Sequence, residues 1–216
     1  NGINAVEFRG MHFDDYYLAA GSSRITFRND SAHVFYIRSA HTIHLIGGSV
    51  GPSCDGESAT VGAADQSTER STGILIDGVK FHDITRSCAP AGSHVECLFV
   101  QETTGITIAA SSFTNCDIMD IFFHRIGVTG DPRNVVIRHN VLNPSTGGGF
   151  YSMVFRADSG ETLSNYFLKA NVVRQDMLLE NAAGSTVTRF RLCQNTGAGT
   201  LKVTGSTAGV AHGACG

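Results

Sequence analysis

The chain predicts an all-β solenoid of about seven to eight coils, and three observations carry that expectation. First, one short phrase recurs eight times: an apolar residue, a polar pair, a small or amide residue, then usually another apolar residue two positions later. The copies begin at Phe8, Phe27, Leu45, Ile76, Ile108, Ile137, Leu168 and Leu192, with steps of 19, 18, 31, 32, 29, 31 and 24 residues. Those steps fall in the range of one solenoid turn per repeat. Second, a separate strand signal precedes most of the later copies. Third, helix signals are nearly absent: no long stretch keeps apolar residues at helical spacing, and 25 glycines with abundant β-branched residues oppose it.

Each coil is predicted to hold at least two short strands of period-two character, separated by turns rich in Gly, Ser, Asn and Asp. The strand inside each phrase begins with the inward pairs Ile25 and Phe27, then Ile43 and Leu45, and reaches Ile74 and Ile76 in the next coil. Ile106 with Ile108 and Val135 with Ile137 continue that column. The preceding strands are 35–38, 98–101, 121–124, 153–156 and 177–180, with the first and third residue of each facing inward. The turn after the phrase carries Asn140, Asn171 and Asn195, with Ser111 and Gly48 in other coils. Stacked amides there can hydrogen-bond along the column and satisfy turn backbone that is otherwise stranded inside. Residues 51–72 read as a polar loop insertion beside the coil face, and residues 201–216 as a C-terminal tail or cap.

Composition bounds the rest. Residues 1–216 form one domain, 42% hydrophobic, with nothing resembling a linker. A charged fraction of 16% and a net charge of -3 supply no field for nucleic acid or an anionic surface, and no apolar run suits membrane insertion. The chain opens inside a repeat at Asn4–Gly10, so a leader and earlier N-terminal coils are expected to precede it. Six cysteines without a CxxC spacing suggest disulfides and an extracellular or cell-surface location. A Cys193–Cys215 bridge would pin the tail over the last coil. The sequon at Asn29 is too common a pattern to establish glycosylation.

The two-strand coil, the I-x-I-x-x-N-x-F style phrase and the asparagine column together resemble the right-handed parallel β-helix proteins of the pectate-lyase-like superfamily. The resemblance covers roughly residues 5 to 200. It implies that fold, and a membership that spans polysaccharide lyases, glycoside hydrolases, esterases, phage tailspikes and noncatalytic surface proteins. The polygalacturonase-like signature, paired aspartates in a strand followed by Gly-His-Gly, is missing; Asp14-Asp15 is the only adjacent acidic pair.

In members that act on polysaccharide, the groove typically runs along one outward strand ladder. Strand alternation sets three outward columns here: Arg38, Gln101, His124, Arg156 and Glu180; Tyr36, Phe99, Phe122, Val154 and Leu178; and Val34, Cys97, Asp120, Ser152 and Asp176. His124 and Arg156 are expected about 5 Å apart on neighbouring coils, and Asp120 and Asp176 about 10 Å apart across two. That carboxylate spacing lies near the upper end of the inverting-glycosidase range. A lyase would instead use Arg156 to offset a uronate carboxylate and His124 to abstract the acidified proton. Asp120, His124, Arg156, Asp176 and Glu180 are therefore the candidate catalytic residues. Tyr36, Arg38, Phe99, Gln101 and Phe122 are the candidate substrate-binding residues, with the aromatics either stacking on sugars or lying beneath a segment such as 51–72. The plain structural alternative is a salt-bridge ladder with no chemistry.

No cofactor is evident, and calcium, though possible, has no support in the sequence. Asp55, Glu57 and Asp65 are too scattered for a calcium site, and His41, His44, His82, His94 and His139 lack ligand spacing for a transition metal. Residues 146–149 form a turn rather than a phosphate loop. The functional expectation is an extracellular β-helix that recognises and cleaves a polysaccharide as a lyase or glycoside hydrolase. The alternative is a noncatalytic adhesin, spike component or carbohydrate-binding scaffold.

Overall fold

The computed structural model describes residues 2–54, 58–63, 67–90, 95–125, 130–145, 149, 151–213 and 215. Asp55, Glu57, Asp65, His94 and residues 146–148 lie outside them. The chain winds into a right-handed parallel β-helix. In the first ladder, Asn4–Arg9, Ser23–Arg28, His41–Ile46, Ser71–Asp77, Thr103–Ala109, Arg133–Arg138, Thr162–Lys169, Thr186–Cys193 and Val210–His212 stack in chain order. The second sheet bends around the other side of the core. One flank carries Ser49–Val50, Lys80–Ile84, Ser112–Cys116, Val141–Leu142 and Val172–Val173; the other carries Ala59–Gly62, Glu96–Val100, Met119–Phe123, Met153–Ala157, Met177–Asn181 and Leu201–Thr204. Ser31–Arg38 spans both flanks, so a single early strand corresponds to two shorter ones in later coils.

Register follows the repeat. Ile76, Ile108, Ile137 and Leu168 are successive partners across parallel strands, and all four are buried. Each inward residue meets its own equivalent one coil away, so like packs on like. Phe81 stacks on Phe113 at 4.7 Å, Phe123 on Phe155 at 4.9 Å and Tyr166 on Phe190 at 5.3 Å between ring centroids. Offset aromatic stacking of this kind adds to the area buried.

The corner after the first ladder explains the asparagines. Asn29, Gly47, Gly78, Ala110, His139, Ala170 and Gln194 occupy equivalent places there, all with φ between +47° and +69°. For a residue with a Cβ this left-handed conformation costs about 1 kcal/mol, so something must hold it. The next residue does. Asn171 Nδ2 donates to Ile137 O (2.9 Å) and to Asn195 Oδ1 (2.9 Å), while its own Oδ1 accepts from Asn140 N and Nδ2, each at 3.0 Å. Asn140 Nδ2 donates in turn to Ile108 O, and its Oδ1 accepts from Ser111 N, both at 2.9 Å. Asp30 fills the equivalent place in an early coil, accepting from Met11 N at 2.6 Å and Arg28 N at 2.8 Å.

Two segments contribute more than the sequence suggests. Inside the stretch read as a loop insertion, Ala59–Gly62 is a strand seated between Ser31–Arg38 and Glu96–Val100. Its inward residues, Ala59 and Val61, are small enough to leave a weak apolar signal. The tail also winds on: Leu201–Thr204 pairs with Met177–Asn181, and Val210–His212 pairs with the strand ending at Cys193. The expected Cys193–Cys215 bridge fastens it, alongside Cys54–Cys88 and Cys97–Cys116.

Asn140→Ala removes two amide donors and one acceptor from a buried corner, and leaves Ile108 O and Ser111 N without their partner. The substitution is expected to destabilise the protein by about 3 kcal/mol or more. Urea unfolding should show a lower midpoint at unchanged slope; a midpoint equal to that of the wild type would refute the structural role of the column.

Candidate functional site

Parallel pairing brings part of the expected constellation together. Arg156 is the direct partner of Glu180, and Phe122 sits between Phe99 and Val154. His124 and Arg156 follow Phe123 and Phe155, which are themselves paired, so the two polar residues stand on adjacent coils. A residue that the sequence reading missed joins them. Asp158, in the turn after Arg156, accepts from His124 Nε2 (3.1 Å) on one oxygen and from Arg156 Nε (3.0 Å) on the other. Glu180 lies 3.8 Å from the same Nε. The His124 hydrogen bond, followed by the Arg156 guanidinium, holds the Asp158 carboxyl below the ordinary carboxylate range. Those carboxylates in turn raise the Arg156 pKa above its ordinary value, led by the hydrogen bond to Asp158.

An open depression of about 290 Å³ lies beside this group, bounded by Arg156, Asp158, Glu180, Asn181, Thr204 and Gly205. His124 is half-buried and stacks on Phe122 with centroids 5.4 Å apart. Its Nδ1 makes no hydrogen bond among the described residues. The site therefore offers a basic nitrogen held by a carboxylate, a guanidinium with five N–H donors of which only Nε is engaged by these carboxylates, and a second carboxylate at the rim.

Other expected members stand elsewhere. Asp120 is not on the open face: it is 1% exposed, and burial pushes its carboxyl well above the usual range, opposed only by the neighbouring Ser152 hydroxyl. The amides of Asp120 and Ile121 both donate to Ser152 O (3.0 and 3.1 Å), so the strand starts with an irregular step that breaks the simple alternation. Neither Asp120 oxygen finds a hydrogen bond of good geometry among the described residues. Asp176 is engaged in joining the last coil, accepting from Thr200 N (2.8 Å) and Oγ1 (3.0 Å) with Lys202 at 3.5 Å. Those bonds, the backbone one first, lower its pKa.

The binding column is likewise altered. Thr60 separates Tyr36 from Phe99, and Gly62 follows Arg38 in the ladder ahead of Gln101, because Ala59–Gly62 intervenes. Arg38 lies over the Tyr36 ring at 5.9 Å. Phe99 and Phe122 stack at 5.1 Å, but Phe122 is 9% exposed and belongs to an apolar cluster outside the helix core with Met119, Val154 and Leu178. Ile118 and Tyr151 pack against that cluster, so described residues of the chain itself cover Phe122, while Thr60 of the 51–72 stretch stands in the ladder between Tyr36 and Phe99. Gln101 is also buried.

Behind His124 lies a second acidic group. Asp158 to Glu161 form a turn in which Glu161 N donates to Asp158 O (3.1 Å) and Asp158 N to Glu161 Oε2 (2.7 Å). Glu161 is ion-paired to Arg125. Buried Asp131 accepts from Thr162 N at 2.8 Å. Burial, then the hydrogen bond and charge of Glu161, push Asp131 up to about 7. Although His124, Asp158 and Glu161 converge closely enough to hold a cation, the Arg125 and Arg156 guanidiniums already neutralise their carboxylates.

A scan of the chain against protein-family models gives no match, and a search among curated proteins finds none. The class is set by the architecture: a right-handed parallel β-helix with an ion-paired polar column along one outward ladder.

The Asp131 proton predicts a pH dependence. Its folded-state pKa lies above its ordinary value of 3.8, so the folded protein holds that proton more tightly than the unfolded chain. The resulting stabilisation is complete below about pH 4 and is lost as pH rises through about 7. Thermal unfolding should show stability falling between pH 5 and about pH 8 in the wild type, and a flatter profile in Asp131→Asn. Equal slopes in the two proteins would count against the raised Asp131 pKa.

Proposed function

We propose that this β-helix acts outside the cell on an acidic polysaccharide and cleaves it by elimination at the His124–Arg156 ladder. One observation carries the reading: His124, which makes no Nδ1 hydrogen bond among the described residues, is bonded through Nε2 to Asp158, and Asp158 with Arg156 and Glu180 rims an open depression. Burial of Asp120 removes the spaced carboxylate pair that hydrolysis by inversion needs, whereas elimination requires only a base and a group that stabilises carboxylate charge. His124 Nδ1 would take the proton α to the uronate carboxylate, the C–H electron pair would become the ring double bond, and the C4–O bond would break with its oxygen protonated from water. Arg156 would meet the charge that builds on the carboxylate. Asp158 would hold the imidazole and stabilise its protonated form. Three disulfides support an oxidising compartment, and the coil pattern supports kinship with the pectate-lyase-like superfamily.

A noncatalytic carbohydrate-binding scaffold is the second reading, favoured by the way His124, Asp158, Arg156 and Glu180 already satisfy one another. Incubation with acidic and neutral polysaccharides, recording new reducing ends and the ultraviolet absorbance of unsaturated uronate, separates the two. Elimination yields both signals; the scaffold binds and yields neither. On a cleaved substrate, His124→Ala should lower turnover about a hundredfold or more, while Arg156→Ala should chiefly weaken acidic substrates. Full activity in both folded variants would overturn the assignment.

A further inference from the structure

At the opposite end of the winding, three donor groups stand together that no part of the proposed reaction uses. We propose that His12, Asp14 and His33 form a binding site for Zn²⁺ or a similar first-row divalent cation, with at least one coordination position left open. His12 and Asp14 are two residues apart on the strand His12–Leu18, and strand alternation puts both on the same outward side. The pairing of Phe13 with Ala32 and of Asp15 with Val34 places Asp14 beside His33 on the next coil. One ligand atom from each of the three residues lies within 4.8 Å of the other two. A tetrahedral ion with bonds of about 2.0–2.1 Å needs its ligands about 3.3 Å apart, a closure within reach of small side-chain rotations at the surface.

Independent features support a ligand there. The His12 ring is already oriented, because its Nδ1 hydrogen-bonds the Ser31 hydroxyl at 2.9 Å, the kind of outer partner that fixes a ligating imidazole. The two imidazoles meet edge to face with centroids 5.9 Å apart, and neither is paired to a carboxylate among the described residues. Asp14 makes no hydrogen bond or ion pair among the described residues, whereas the rival cluster at His124 has its charge met by two arginines. An open cleft of about 520 Å³ adjoins His33 and is bounded by Asp15, Ser53, Asp83, Thr85 and Asn115. Since His33 belongs to both the cluster and the cleft lining, a bound ion would stand at the edge of that space. Two imidazoles and one carboxylate are the donor set of Zn²⁺ sites that keep an exchangeable position. The site is also readable in the coil spacing: 33 − 14 = 19, the same step that separates Phe8 from Phe27.

Calorimetric titration of chelator-treated protein with Zn²⁺ tests this directly. One strong site per chain is expected, weakened at least tenfold by each of His12→Ala, Asp14→Asn and His33→Ala. His212→Ala, at the far end of the solenoid, should leave it unchanged. Titration with Co²⁺ should produce a visible ligand-field band that Asp14→Asn and His33→Ala diminish or abolish. Asp14→Asn keeps the shape of an exposed side chain, so circular dichroism matching the wild type will show that lost binding is not lost folding. Absence of strong Zn²⁺ binding, or equal affinity and stoichiometry in the wild type, Asp14→Asn and the His12→Ala/His33→Ala double variant, would overturn the proposal.

Discussion

The structure depends on in-register stacking of a left-handed corner. Every coil must turn sharply after its first-ladder strand, and it does so through one residue at positive φ, five times a residue with a side chain beyond glycine. That corner buries peptide groups with no strand partner of their own. In the later coils the side-chain amides of Asn140, Asn171 and Asn195 answer the need by bonding both to the preceding strand and to one another. Because each amide reaches the next coil, the corner fixes the axial register as well as the local turn. The apolar columns then follow: an isoleucine that packs on the equivalent isoleucine in one coil must do so in its neighbours.

That register also builds the outer surface. Once Phe155 lies against Phe123, His124 and Arg156 are adjacent, and Arg156 is held against Glu180. The turn 158–161 closes over this edge and supplies Asp158, which converts two neighbouring basic side chains into one connected group. Exposed ion pairs of this sort contribute little to stability individually. Their value lies in position, since a carboxylate shared between an imidazole and a guanidinium holds both at the rim of a depression. Nearby, burial and the neighbouring Glu161 push Asp131 up to about 7, so the ground beneath the site is sensitive to pH near neutrality.

Much of this was legible in the sequence because a period of two and a coil repeat are sufficient to assign columns. The pairing of Arg156 with Glu180, the interior isoleucines and the asparagine column follow from those spacings, and the terminal disulfide from the place of Cys193 and Cys215 on either side of the tail. What escaped depends on features that periodicity does not encode. Ala59–Gly62 is a strand made of small residues within a polar stretch, and it shifts Tyr36 and Arg38 one step away from Phe99 and Gln101. Asp120 follows the alternation on paper, yet an irregular strand start and a satellite apolar cluster enclose that face. Asp158 belongs to a turn, held by its backbone bonds to Glu161, that strand alternation does not reach, and the His12, Asp14 and His33 group becomes visible only when the first coils are aligned.

The central claim is that the corner amides lock the coils into one register, from which both core and outer column follow. Nuclear Overhauser contacts between methyl groups, measured on methyl-labelled protein, test it most directly. The account predicts a continuous series of contacts from Ile76 to Ile108, from Ile108 to Ile137 and from Ile137 to Leu168. Contacts displaced by one strand position, or a missing link between Ile108 and Ile137 where Asn140 and Ser111 join the coils, would contradict it.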